Sequence, residues 1–335
     1  MGKPLTFSVG IPTFNQAEYL EATIESLLEQ TRPPEEIFIS DHFSTDETPA
    51  IIEKYVRQGK VGAGKPPVGV NLAGQWQYTF SRLSGDWVTL LSSDDLARPN
   101  FAEVLMRGAA RRADAVLVRA AWENIDAAGI VISKEYMLSI KPVLQPPETL
   151  ISQRFGPLVS FAAFALKREA LERSGPILQT MESLADWALF LQIAPFGSFI
   201  YENEIVSGYR IHPTDKFRLR LGMWIRDEQR ITAEVLPLAA KCAGLTTPES
   251  CAWIGEAGRS NFARYLAAAS EKFAPEERSQ ATEHFAPWAA QTGSEALLAR
   301  FVAGEKIAPD LSLVEKAKAL ARPLAHKLYA GLRRA

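Results

Sequence analysis

Three short polar segments each follow an apolar, strand-like run and carry the residue types from which a ligand site is built: Pro12-Thr13-Phe14-Asn15, Asp41-His42-Phe43-Ser44-Thr45-Asp46 and Ser92-Ser93-Asp94-Asp95. In an open parallel sheet the loops at the carboxyl ends of the strands form the ligand crevice, so polar residues there are the ones to weigh. An aromatic such as Phe14 can stack on a nucleobase; its ordinary alternative is to plug the base of its loop. Asp41 could accept the imide N–H of a uracil or thymine ring, with a turn-capping aspartate as the alternative. Asp94 and Asp95 are hard oxygen donors suited to Mg2+ or Mn2+, a cation that offsets charge on a departing diphosphate. Asp95 could equally cap the turn that follows it. Asp186 opens the apolar helical run Trp187, Leu189, Phe190 and Ile193, and by itself it is a first-turn acid favoured by the helix dipole.

The elements that must carry these segments can be traced in order. Leu5 to Ile11 is a β-rich run; Asn15 with Glu18 resembles a capping box before a helix with apolar Ala17, Leu20, Ile24, Leu27 and Leu28. A strand from Glu36 to Ser40 follows, then Thr48-Pro49 as N-cap and first-turn proline of a second helix. A helix from Gly74 to Leu83 leads to Asp86–Leu91, whose unbroken apolar character suits a central parallel strand. A helix from about Pro99 and a strand from Ala115 to Val118 continue the alternation, which argues for a mostly parallel sheet covered on both faces. From about Phe217 the strand signals stop and the sequence is helical in composition and spacing. The expected domains are therefore residues 1–215, α/β, and 216–335, helical.

With those residues in view, the chain resembles the family 2 glycosyltransferases of the GT-A fold from roughly Phe7 to His212. The resemblance is carried by Val9-Gly10-Ile11-Pro12-Thr13-Phe14-Asn15, Gln30-Thr31, Ser40 to Asp46 and Gly85-Asp86-Trp87. Further on it includes Leu166 to Leu171, Ala185-Asp186-Trp187 and Tyr209-Arg210-Ile211-His212. It implies a Rossmann-like GT-A domain that binds a nucleotide through Pro12, Thr13, Phe14, Asn15, Asp41, Ser93 and Arg210. It also implies a divalent metal, Mn2+ or Mg2+, at Asp94 with Asp95 and His212 as further candidates, and Asp186 as general base of an inverting transfer. For Arg210 the implied partner is phosphate; for His212 the ordinary alternative is a satisfied histidine. Two positions depart from the family pattern: Ser92 stands where an acid is usual, and Ala185 replaces the first acid of a frequent Glu-Asp pair. In Gly74-Gln75-Trp76-Gln77, Trp76 is expected in the core, with Gln75 a weaker candidate for a sugar or phosphate contact. The implied donor is a UDP or dTDP sugar and the implied acceptor a glycan or lipid-linked glycan.

Composition sets the outer bounds. The 335 residues, 47% hydrophobic and 23% charged, suffice for a large and a smaller domain. A net charge of -2 supplies no global field for nucleic acid. Cys242 and Cys251 lack metal-site neighbours and are expected as small buried residues, which suits a reducing cytoplasm. The start has no secretory pattern, and its loose match to a myristoylation motif conflicts with a strand role for Thr6. The longest uncharged apolar stretch, Leu158 to Leu166, is too short to span a bilayer. Leu313, Ala317, Leu320, Leu324, Leu328 and Leu332, beside Lys316, Lys318, Arg322, Lys327, Arg333 and Arg334, make a stripe that could lie on an anionic bilayer at the inner face of the plasma membrane or dock on its own domain. Two rivals to the transferase reading are a nucleotidyltransferase, which needs a Gly-rich basic loop that Pro12 to Gln16 lacks, and a non-catalytic nucleotide-sugar-binding or scaffolding protein.

Overall fold

The computed structural model describes residues 4–136, 141–157, 159–176, 180–212 and 216–307. Its strands are β1 (Phe7–Thr13), β2 (Glu36–Asp41), β3 (Gly62–Gly64), β4 (Trp87–Leu90), β5 (Leu96–Ala97), β6 (Ala115–Ile125), β7 (Val131–Glu135), β8 (Val143–Leu144), β9 (Phe164–Lys167) and β10 (Ser198–Arg210). Its helices are α1 (Ala17–Leu28), α2 (Thr48–Arg57), α3 (Leu72–Ser81), α4 (Phe101–Ala110), α5 (Glu148–Ile151), α6 (Arg168–Ser174), α7 (Ala185–Ile193), α8 (Lys216–Arg230), α9 (Leu236–Cys242), α10 (Pro248–Lys272), α11 (Pro275–Thr292) and α12 (Glu295–Val302).

Contacts divide the chain into two compact units, the first comprising Met1–Pro146, Val159–Met181 and Phe196–Thr214. Its sheet has the order β3-β2-β1-β4-β9-β6-β10-β5, with β7 beside β6 and β8 beside β10. The inner strands β1 and β4 are buried along nearly their whole length, as their unbroken apolar character requires. Strands β3, β2, β1 and β4 are parallel, β9 runs antiparallel between β4 and β6, and β10 is again parallel to β6. Two reversals across β9 restore the direction, so β1, β2, β4, β6 and β10 end at the same edge of the sheet. The register keeps those ends level: Thr13 lies opposite Asp41, and Gly10 opposite Leu90. Gly10 also lets α3 lie close on the sheet, since a Cβ there would stand 2.5 Å from Thr79 Cγ2 and 2.7 Å from Leu90 Cδ2.

The second unit comprises Pro147–Leu158, Glu182–Pro195 and Asp215–Ala335, so two stretches that precede residue 215 in the chain are counted with the helical part. The reason is visible in α7, where Trp187, Ala188, Leu189, Phe190, Leu191 and Ile193 are all buried. A helix apolar on every side needs cover all round, and within this unit α7 packs on α9 and on the π-helical turn Ile231–Val235. The core of the unit includes Phe262, Phe285, Trp288 and Phe301, with Phe262 edge-on to Trp288 at 5.3 Å and to Phe285 at 5.9 Å.

Several local expectations are corrected. Strand β6 runs past Val118 to Ile125, with Arg119 and Glu123 buried within it and Glu123 paired with Arg98. Asn15 does not cap α1; Gln16 is the N-cap residue, without a side-chain cap bond, and Asn15 instead accepts from Thr45 N at 2.8 Å. Thr48 lies inside α2 and its own N–H is accepted by Asp46 Oδ1 at 3.0 Å, so the aspartate serves where the threonine was expected to cap. Cys242 is exposed and Cys251 half-buried, not buried as expected; both are free. Among the described residues no helix is long and apolar enough to cross a membrane. The basic stripe from Leu313 to Arg334 lies outside the described residues.

Candidate functional site

The loops after β1 and β2 are joined by a set of reciprocal hydrogen bonds. His42 N donates to Thr13 O at 2.9 Å, Asn15 N to Ser44 Oγ at 2.9 Å, Gln16 N to Thr48 Oγ1 at 3.0 Å and Ala17 N to Asp46 Oδ2 at 3.1 Å. The last two begin to satisfy the otherwise orphaned donors around the start of α1. From below, the buried Gln75 of α3 donates to both Thr13 O (3.1 Å) and Ser40 O (3.0 Å). Its amide therefore ties the two strand ends together, which is a different task from touching a sugar or phosphate. Trp76 is buried and stacks on Phe161 with centroids 4.2 Å apart.

This frame leaves specific groups facing outward. Asn15 and Phe43 both have positive φ, +49° and +61°, a conformation uncommon outside glycine that the surrounding bonds must hold. Phe14 is 53% exposed and Phe43 38% exposed, with the His42 ring 6.1 Å from Phe14 and 6.0 Å from Phe43. An exposed aromatic face of this kind can stack on a flat partner. Asp41, 4% exposed, accepts Ser44 N through Oδ1 at 3.0 Å; its Oδ2 has no hydrogen-bond donor and lies 3.7 Å from Lys65 Nζ. The same ammonium stands 5.5 Å from the Phe43 ring. Pro12 is half-buried and Thr13 buried, both at the end of β1.

At the ends of β4 and β10 the polar residues separate into two kinds. Asp95 is fully buried, and its Oδ1 accepts Arg210 N at 2.8 Å. Arg210, itself 4% exposed, directs Nε to Asp94 O and Nη1 to Asp126 O and Ala127 O, each at 2.7 Å, and its guanidinium stands 4.5 Å over Tyr19. Ser93 is buried, and its carbonyl, with that of Asp95, accepts from Thr23 Oγ1 of α1. These residues shape the loop. Asp94 and His212 differ: both are half-buried, and His212 Nε2 lies 2.6 Å from Asp94 Oδ2. Tyr19 braces this pair, edge-on to His212 at 6.0 Å. Tyr19, Phe43 and Lys65 were not singled out from the sequence, and Gln75 was weighed there as a sugar or phosphate contact rather than as a tie between strands; an aromatic two positions after Asp41, and one four after Asn15, were the available signals.

A carboxylate and an imidazole side by side are a donor pair that suits a divalent ion arriving with a diphosphate, because such ions take one or two protein groups and complete their shell from phosphate and water. Among the described residues no group of three or more His, Cys, Asp or Glu forms a site that would hold a metal by itself. The Asp94 and His212 atoms thus fit a metal shared with substrate.

In the second unit Asp186 stands in the first turn of α7 and its Oδ1 accepts Trp187 N at 2.8 Å. Burial raises its carboxyl to about 6, further raised by the nearby charge of Asp227 and opposed by backbone N–H donors. The helix start was expected to favour ionisation; desolvation is the larger effect.

The profile of the family described as glycosyl transferase family 2 matches residues 8–175. A hyaluronan synthase of Pasteurella multocida is 24% identical over 218 residues, 64% of this chain and 21% of that protein. A chondroitin synthase of Escherichia coli is 25% identical over 207 residues, 61% of this chain and 29% of the synthase. The chain thus matches only about a fifth to a third of the length of these relatives. The crystal structure of S. aureus TarS 1-349 in complex with UDP-GlcNAc aligns with a TM-score of 0.62 at 14% identity, over 97% of this chain and 88% of that one. The likeness is one of fold, and it includes a GT-A type sheet and a helical C-terminal region.

Proposed function

The chain belongs to glycosyl transferase family 2, and from that premise we propose that it is an inverting glycosyltransferase moving a sugar from a nucleoside diphosphate to a hydroxyl of a glycan or lipid-linked glycan. The observation that carries this reading is the pairing, on one sheet edge, of an aromatic-flanked carboxylate lacking a hydrogen-bond donor at Asp41 Oδ2 with the Asp94–His212 pair. Asp41 accepts the imide N–H of a uracil or thymine ring while Phe14, with Phe43 nearby, stacks on it, so the donor is a UDP or dTDP sugar. The UDP-GlcNAc complex of TarS supports a uracil donor. Pro12, Thr13 and Asn15 shape that pocket; Ser93 and Arg210 hold the loop behind the diphosphate rather than touching it.

A divalent cation, Mn2+ or Mg2+, held by Asp94 and His212 would offset the charge on the departing diphosphate. Asp95 supports this pair from its buried position. Asp186, assigned by its place in the family motif, takes the acceptor proton as the acceptor oxygen bonds to the anomeric carbon and the bond from that carbon to the diphosphate breaks. Attack opposite the leaving group inverts the anomeric configuration. Two free cysteines suit a reducing cytoplasm, and the basic stripe near the C-terminus supports a peripheral contact at the inner face of the membrane.

The test is nucleoside diphosphate release from a panel of UDP and dTDP sugars with Mn2+, with and without oligosaccharide acceptors. Release of UDP or dTDP is expected. Tight binding of UDP without release from any donor would favour the non-catalytic reading, to which Ser92 and Ala185 lend specific support because each replaces an acid.

A further inference from the structure

The segment just before α7 has no side-chain cap of its own: Leu184 occupies the N-cap position and offers none. The orphaned donors are met from a distant point in the sequence. Asp227 of α8, fully buried, accepts Leu184 N at 2.8 Å and Ser183 N at 2.7 Å through Oδ2, and Glu182 N at 3.1 Å through each oxygen. A carboxylate, which only accepts, suits three consecutive N–H donors, and here Oδ2 alone takes all three. Trp224 Nε1, one turn earlier on α8, donates to Ser183 Oγ at 2.9 Å and holds the same segment. Outside, Arg226 forks onto Glu182 at 2.9 and 2.8 Å, and Arg230 lies 3.7 Å from Asp227 and 3.8 Å from Glu182.

We propose that Asp227 is a positioning residue that fixes the first turn of α7 and thereby the direction and protonation of the Asp186 carboxyl. The inference rests on the reading of Asp186 as general base. Clamping residues 182–184 sets where the next turn begins, and Asp186 is two residues on. The clamp is also a negative charge. Among the charged groups of α8, namely Arg226, Asp227, Glu228 and Arg230, and those of the elements packed on α7, Glu234 of the π-helical turn and Lys241 of α9, it is Asp227 that acts on the Asp186 carboxyl, adding to the effect of burial; Glu228, itself raised to about 7 by burial, is bonded to Asn261 and Arg264. A base pushed upward is a stronger proton acceptor once ionised, at the cost of being protonated below about pH 6.

The test uses the full chain, the donor that gives fastest release in the panel above, and turnover measured against pH. In wild type, turnover should rise with pH with a midpoint near 6, because the ionised form is active. Asp227→Asn is expected to lower the plateau roughly 10-fold with donor KM unchanged, and to move the midpoint to lower pH by removing the charge. Asp227→Glu, which keeps the charge but moves its oxygens by one methylene, should lower the plateau while leaving the midpoint near 6; this variant keeps the idea testable if Asp227→Asn does not fold. In an Asp186→Asn background, Asp227→Asn should cause no further loss, the non-additivity expected of a residue acting through another. An equal loss in both backgrounds with an unmoved midpoint, or a wild-type plateau in Asp227→Glu, overturns the proposal. Near-wild-type turnover in Asp186→Asn would instead overturn the base assignment, and absence of release in wild type the transferase reading.

Discussion

At the ends of β1 and β2 the polar residues bond chiefly to one another, leaving Phe14 and Phe43 exposed and the buried Asp41 Oδ2 without a hydrogen-bond donor; at the ends of β4 and β10 the conspicuous charges, Asp95 and Arg210, are turned inward while Asp94 and His212 are half-buried. The same description, a polar residue just after a strand, covers both cases. What separates strut from contact is whether the side chain's hydrogen-bonding capacity is already spent. Three of the Arg210 bonds end on carbonyl oxygens, so its charge holds loops rather than waiting for phosphate.

The largest break in this contrast should come from Asp94. Asp94→Ala removes an accessible carboxylate without leaving a deeply buried partner, so turnover should fall on the order of 10²–10³-fold, the range for losing one group that stabilises developing charge, while Tm stays near wild type. Metal-dependent donor binding should go with it, and full activity of wild type after exhaustive chelation would remove the metal from the account. Asp95→Ala should behave in the opposite sense. It orphans the Arg210 N–H in a buried site, costing about 1–3 kcal/mol of stability and a drop of a few degrees in Tm, with turnover following the loss of folded protein. If Asp95→Ala kept its Tm and lost turnover as completely as Asp94→Ala, the division into strut and contact would be wrong.

The sequence made the alternation of strands and helices, and the order of the motifs, readable because continuous apolar runs and turn residues are local signals. It could not show that β9 enters antiparallel between β4 and β6, since only four residues pair there and their partners are distant in the chain. The site was legible to the level of which loops, through Phe14, Asp41 and Asp94. The distinction between Asp94 and its neighbour Asp95 was not, because it depends on Arg210, 115 residues away. Asp227 carried no signal at all: an aspartate late in a charged helix looks solvated until the three N–H groups of another segment are set against it.

On the other side of the comparison, the groups facing outward should matter for affinity and not for folding. Phe14→Ala should weaken UDP binding roughly 10-fold, within the range for loss of one base-stacking ring, with Tm unchanged. Asp41→Asn probes hydrogen-bond direction rather than area. The amide oxygen can still accept Ser44 N, which leaves an N–H2 where the oxygen without a donor was. That donor opposes the imide N–H of uracil and suits the ring acceptor of cytosine, so the UDP to CDP affinity ratio should fall. Calorimetry with both nucleotides would read it, and an unchanged ratio would take Asp41 out of the base pocket.

The smallest expected effect, from Gln75→Leu, asks whether the outward groups owe their placement to the frame beneath them. Leucine has similar bulk and no donor, so the substitution leaves Thr13 O and Ser40 O without the amide that joins them while filling most of the space. Thr13 O still accepts His42 N, which should limit the damage to about 1 kcal/mol of stability. The strand register Thr13 to Asp41 is kept by the sheet itself, so the protein should fold. What changes is the tightness with which the Phe14 and Asp41 loops are held level, and UDP affinity should fall by a few-fold through a faster dissociation rate, with little change in association. A Gln75→Leu protein that loses donor sugar binding while retaining UDP binding would contradict this, because it would make Gln75 a direct contact with the sugar and not the tie between two strand ends.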